Sequence, residues 1–232
     1  MSKIKAGYSR VEVNPNLGQP IEGYYNQRYA EGFLDNLNAT AVAFDDGEKK
    51  AVVISLDAIG MNQVRSDEVR KAVAEKIGTE PEGVYIACTH THLGLGFTAS
   101  KTGLFTSDED HKLINDNFER VKSKICDAAA LAINDLKPSE FYYTKGIAEN
   151  VAFIRRYRMK DGAVRTNPGP YGKDAVEALG EADNTVSHLI IKREGTFDIG
   201  IVNFQVHPDV ISGSLISADY PHFVRDTYEK RI

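Results

Sequence analysis

The chain is poor in cysteine, with two in 232 residues, and it has no tryptophan at all. Cys88 sits in a strand-like run and Cys126 in a helix-like one, so they read as small buried hydrophobes and not as a disulfide framework. No apolar run approaches the roughly 20 residues needed to cross a bilayer; the longest are of the kind Ala51-Val52-Val53-Ile54. Basic charge is not in excess either, since 28 Lys and Arg stand against 33 Asp and Glu, a formal net charge of −5. That balance lacks the electrostatic footprint of a nucleic-acid binder. Met1–Gly7 has no apolar core behind its lysines, so no secretory signal is read there and a cytoplasmic location is expected.

What remains is an ordinary globular composition, 42% hydrophobic and 26% charged. A chain of this length buries about 70% of its unfolded surface without staples. Ala6–Val13 alternates weakly and stops at Asn14-Pro15, which predicts a strand and a turn. Residues 16–36, rich in Gly, Asn and Tyr, have no period and read as an irregular excursion. Ala39–Phe44 and Ala51–Leu56 are β-rich runs joined at Asp45-Asp46-Gly47-Glu48, a hairpin signal. Val69, Ala72, Val73 and Ile77 follow a helical period, with Ser66 as the expected cap and Gly78 as the stop. Val84–Cys88 then reads as a short buried strand. The strand, helix, strand order over 51–88 predicts an α/β unit.

Ser107-Asp108-Glu109-Asp110 opens a second helix, with acids at the positive end of its dipole. Its apolar stripe runs from Ile114 through Phe118, Val121, Ile125 and Ala128 to Ala132. Phe141–Thr144 is a candidate strand, and 155–184 reads as loops holding Arg155, Arg156 and Arg158. Thr185–Lys192 and Ile199–Val206 form a second hairpin signal around Glu194-Gly195. Asp219-Tyr220-Pro221 opens the last helix. The expected fold is therefore α/β, with mixed β-sheets flanked by helices.

The chemistry-bearing residues gather at strand ends. His90 and His92 directly follow Val84–Cys88, and in extended backbone residues two apart point to the same side. His207-Pro208 follows another strand and Asp57 a third, the positions where open α/β sheets place their sites. Neutral imidazole is a leading zinc ligand. A single histidine more often packs or caps than ligates; a His-X-His pair with a third histidine at another strand end favours metal. His111, in the first turn of a helix, and His188, inside a strand, have no such setting. Gly94-Leu95-Gly96-Phe97-Thr98-Ala99 imitates a dinucleotide fingerprint, but the next helix starts only near Asp108, so a glycine-rich flap beside a metal site fits better. The cluster Arg155-Arg156-Tyr157-Arg158 reads as solvated surface, or else as a planar donor fork for a carboxylate or oxyanion.

At these residues the sequence resembles the neutral/alkaline (non-lysosomal) ceramidase family, whose motif is His-Thr-His-Ser-Gly-Pro-Gly. Thr89-His90-Thr91-His92-Leu93-Gly94-Leu95-Gly96 stands in its place, with leucines for the serine and the proline. Leu56-Asp57 and Arg155-Arg156 follow the family's order, with Ile154 where its Asn-Arg element has asparagine. So do Asn203–Pro208 and Ile216–Pro221, and the shorter, bacterial-type members fit best.

The resemblance implies a zinc-dependent amidase acting on a small N-acyl substrate. His90 and His207 would be zinc ligands, His92 would lie beside the metal and bond substrate or water, and Arg155 would line the pocket. Asp57 is expected at the rim or behind an imidazole. The family completes its site with a later glutamate, tyrosine and serine, so residues 1–232 would be the N-terminal half of one such catalytic domain. A surface left by the missing half would then favour self-association as a homo-oligomer. Two other readings stand beside this one: a non-catalytic structural or assembly module, and a (β/α)8 amidohydrolase, which also carries His-X-His at a strand end.

Overall fold

The computed structural model describes residues 4–98, 104–169 and 172–231. Ala99 of the glycine-rich run, Pro170 and Ile232 lie outside them. The chain enters through β1 (Lys5–Glu12), a short β2 (Gly32–Phe33), β3 (Asn38–Asp45) and β4 (Lys50–Leu56). Helix α1 (Gln63–Ile77) then leads to β5 (Val84–Cys88), and the 27-residue α2 (Asp108–Asn134) to β6 (Lys137–Ile147). Three short strands follow, β7 (Arg156–Met159), β8 (Val164–Thr166) and β9 (Ala175–Ala178). The remainder is β10 (Thr185–Arg193), β11 (Ile199–Asn203), β12 (Leu215–Ile216) and α3 (Tyr220–Glu229).

One seven-stranded mixed sheet has the order β11-β10-β6-β1-β3-β4-β5. The turn between β3 and β4 is made by its own acids: Asp45 accepts from the Gly47 N–H, and Asp46 from those of Glu48 and Lys49. β3 therefore pairs antiparallel with β4, and also with β1. These pairings remove the (β/α)8 reading, because a barrel of parallel strands cannot contain hairpins. β4 and β5 are parallel, with α1 as the crossover. The fold class is α/β, as the sequence pattern predicts.

α2 carries the longest buried stripe, Ile114, Phe118, Val121, Ile125, Ala128 and Ala132. Its cap is Ser107, whose hydroxyl accepts from the Asp110 N–H. The core it seals includes Ala39, Ala41, Ile54, Leu56, Val69 and Val73. No helix among the described residues is long and apolar enough to cross a membrane.

The structure departs from the sequence reading in several places, among them β11, which ends at Asn203 and not at the expected Val206. Asn62, not Ser66, caps α1, accepting from the Arg65 N–H; the Ser66 N–H already bonds back to the Asn62 carbonyl. β5 is the edge of the sheet and not a buried strand, with Tyr85 64% exposed. The strand expected at Phe141–Thr144 is longer at both ends, and Pro138 lies inside it, opposite Lys5. Residues 155–184 hold an antiparallel three-stranded sheet, β8-β7-β9, where loops were expected. Its strands are only three or four residues long and mostly exposed, too short and too polar to show a period of two.

The chain forms two compact units. The first comprises 1–140, 191–199 and 207–232; the second comprises 141–190 and 200–206. β6, β10 and β11 have residues in both.

Candidate metal centre

Parallel pairing of Leu56 with Cys88 brings two strand ends to the same edge of the sheet. The chain after β5 is laid across the chain after β4: the Thr89 N–H bonds to the Leu56 carbonyl and the His90 N–H to that of Ala58, both at 2.9 Å. His90 itself adopts φ +70°, the left-handed region. His90 and His92 therefore face one point through a kink, and not through the extended backbone that their spacing suggests. A left-handed conformation costs a non-glycine residue about 1 kcal/mol or more. The ring partly offsets this, because His90 Nδ1 bonds to the Ile59 carbonyl. A carbonyl can only accept, so Nδ1 carries the proton and Nε2 keeps a lone pair.

The segment beyond is pinned on the core side. The Thr91 hydroxyl donates to the Ser217 carbonyl at 2.7 Å and accepts from the Leu93 N–H at 3.2 Å. The Leu93 carbonyl accepts the Ser217 N–H at 3.0 Å. Leu93, Leu95 and Phe97 are fully buried. The two leucines that replace the family's serine and proline are thus core residues.

His207 approaches from the end of β11. The turn that carries it is held by Asp219, whose carboxylate accepts the Val210 and Ile211 N–H groups, each at 3.0 Å. The same carboxylate caps α3 through the Tyr220 N–H at 2.6 Å. Asp219 is buried at φ +57°, ψ −153°, a conformation that costs a non-glycine residue roughly 1–3 kcal/mol.

These supports bring the three imidazoles together. Ring centroids are 5.1 Å apart for His90 and His92, 5.0 Å for His90 and His207, and 4.6 Å for His92 and His207. One ring nitrogen from each lies within 4.8 Å of the others. Among the described residues this is the cluster of His, Cys, Asp or Glu side chains able to hold a metal ion. The donors are three imidazole nitrogens, which suit a borderline metal such as zinc. Burial pushes His92 below the ordinary imidazole value, with the Asp209 carboxylate opposing it. The shift favours the neutral ring, the form that binds a metal or accepts a proton.

Around His92 lie residues that the sequence reading missed. Asp209 Oδ1 is 3.9 Å from His92 Nδ1, and the Tyr24 hydroxyl donates to that oxygen. Arg28 stacks 4.0 Å over the Tyr24 ring and donates to the His92 carbonyl at 2.8 Å. Tyr24 and Arg28 also line an open cleft of about 510 Å³, together with Asn26, Gln27, Tyr29 and Ser214. Burial, then the bond to Asp209, raises the Tyr24 hydroxyl to about 12, so it stays a donor. The signal for Asp209 is present in the sequence, a carboxylate two residues beyond His207. Tyr24 stands in the irregular stretch and carries none.

Asp57 is fully buried. Its carboxylate takes both terminal nitrogens of Arg225, the Asn38 N–H and the Thr89 hydroxyl. It acts on the residue just before His90. Arg155 belongs to the second unit, exposed ahead of β7, where its carbonyl accepts the Asn167 N–H. His111 bonds to the Phe105 carbonyl, and His188 lies within β10.

No protein-family model matches the chain. Among solved structures, it is similar to neutral ceramidase from Pseudomonas aeruginosa, with a TM-score of 0.71 and 19% identity over 94% of this chain and 34% of that one. A ceramidase complexed with C2 gives a TM-score of 0.69 and 20% identity over the same shares, 94% and 34%. The chain thus spans about a third of the length of the ceramidases it matches. At this identity the likeness is one of fold, and the resemblance to a ceramidase carried by the sequence motifs has a counterpart in three dimensions over nearly the whole chain.

Proposed function

We propose that the protein is a zinc-dependent hydrolase that cleaves an N-acyl (amide) bond. The observation that carries this reading is the meeting of His90, His92 and His207, on the loops that follow β5 and β11, in a ceramidase-like fold. His90 and His207 would hold the metal, and the proton held on His90 Nδ1 leaves its Nε2 free to ligate. Bound there, zinc supplies a water with a pKa near 7 and polarises the amide carbonyl. His92 takes the proton of the attacking water and passes it to the leaving amine. Asp57 steadies the backbone before His90 through Thr89. Two imidazoles alone bind zinc weakly, so His92 or a further donor decides the affinity.

A small N-acyl compound suits this site as well as ceramide does. The test is amine release from a panel of N-acyl compounds by protein loaded in turn with zinc, cobalt and manganese. Release that a chelator abolishes, and that His90→Ala and His207→Ala lack, is the expected result. No release with any of the metals overturns the hydrolase reading and leaves that of a structural or assembly module.

A further inference from the structure

Two arginines are buried among the described residues, and only one of them meets a carboxylate. Arg193, 5% exposed, pairs with Asp135. Arg28, 7% exposed, bonds to main-chain oxygens alone, the Gly213 carbonyl at 2.6 Å and that of His92 at 2.8 Å. Its Nε–H has no partner, so two of the five N–H donors are used. A guanidinium stays charged when buried, and a buried charge without a counter-ion is costly. Asp209 is reached only through Tyr24, whose ring Arg28 covers and whose hydroxyl donates to that carboxylate.

The guanidinium sits between Tyr24 and Gly213, and both line the open cleft of about 510 Å³, a size suited to a small molecule. The same residues build the histidine cluster. Arg28 holds the main chain of His92, and the Tyr24 ring lies 5.5 Å from the His92 ring. All of them belong to one compact unit. Glu31 lines the cleft as well. With Asp209 close by, its charge disfavours a doubly charged anion such as phosphate and leaves room for a single negative charge.

We propose that Arg28 is the carboxylate anchor of this cleft and that the substrate is an N-acyl amino acid, its carboxylate on the guanidinium and its amide at the histidine cluster. The inference rests on the hydrolase reading above and names the substrate class of that site. A single carbon separates amide nitrogen from carboxylate in such a compound, which fits a cation anchored on the main chain of His92 itself. Hydrolysis breaks the amide C–N bond. The hydroxyl of water goes to the acyl carbon and its proton to the leaving nitrogen, so the products are a carboxylic acid and a free amino acid.

NMR titration of the metal-free protein at constant ionic strength tests this with N-acetylalanine, its carboxamide and inorganic phosphate. The first two differ by one charge at nearly equal size. Wild type is expected to bind the acid about tenfold more tightly than the carboxamide, the gain of hydrogen bonds to a charged group, and more tightly than phosphate. Arg28→Gln is expected to erase that preference. Where the variant does not fold, the Arg28 Nε–H resonance of wild type decides, since the acid should shift it and the carboxamide should not. Equal affinity for acid and carboxamide overturns the proposal, as does phosphate binding as tightly as the acid. So does a preference that survives Arg28→Gln, or a resonance that stays still. Amine release from metal-loaded protein separates this proposal from the reading beneath it. Preferred binding of the acid with no release from any N-acyl compound sinks the hydrolase reading and leaves Arg28 a carboxylate site. Release from uncharged N-acyl compounds alone sinks the anchor and leaves the hydrolase.

Discussion

Asp57 and Arg225 meet side-on: the two carboxylate oxygens accept from the two terminal guanidinium nitrogens at 2.9 and 2.7 Å, across 168 residues of sequence. The pair ties the end of β4 to α3. The carboxylate is almost completely buried and the guanidinium is about one-fifth exposed. Removing the cation leaves a buried charge with one N–H and one hydroxyl. Arg225→Ala is therefore expected to cost about 3 kcal/mol, measured by urea denaturation, whereas Arg225→Lys recovers only part because it cannot bind both oxygens.

The histidine cluster separates from fold stability at His90. A four-ligand structural zinc site is worth roughly 10–16 kcal/mol, about 3 kcal/mol per ligand. His90→Ala or His207→Ala should then weaken zinc binding about a hundredfold or more, read by competition with a chromophoric chelator. His90→Gly loses the same ligand but relieves the left-handed backbone. It should be more stable than His90→Ala by roughly 1 kcal/mol. Equal stability would mean that the φ of +70° costs nothing.

Leu93 occupies the motif serine position but lies in the core with none of its surface exposed. Placing the motif residue there by Leu93→Ser removes a buried isobutyl group and buries a hydroxyl. The expected cost is about 3 kcal/mol, within the range for large-to-small changes in a core. A melt showing little change would place Leu93 at the surface.

Burial, and then the charge of Asp57, push the Cys88 thiol up to about 11, and burial raises that of Cys126. Both should alkylate slowly at pH 8 in the folded protein and rapidly after unfolding. A raised acid pKa favours the neutral form in the fold. The contribution of Cys88 is thus complete below its ordinary value of 9.0 and is lost as the pH climbs through about 11. Fast labelling of folded protein at pH 8 would contradict this.

The α/β layering was legible because its signals are local. An Asp-rich turn forces the β3–β4 hairpin, and a helical stripe between two apolar runs gives the β4–α1–β5 crossover. The histidine cluster was legible as residue type and place, but not in its mechanism of convergence. The His-X-His spacing suggests an extended strand, whereas the structure turns His90 out of the β region and secures its ring on Ile59. The edge position of β5 depends on strand order, which its five residues cannot encode. Asp209 was missed because its meaning needs Tyr24, 185 residues away in an aperiodic stretch. Arg225 was missed likewise, a charged residue on a short helix whose partner lies at the other end of the chain.

Asp219 has a consequence for how this site is held together. One carboxylate serves both the first turn of α3 and the Val210–Ile211 backbone that follows His207. Arg225, on the next turns of the same helix, grips the carboxylate that braces Thr89, next to His90. The helix is therefore tied to the backbone on both sides of the histidine cluster. A single ten-residue helix thus braces the backbone beside His90, through Asp57 and Thr89, and the backbone beyond His207, through Asp219.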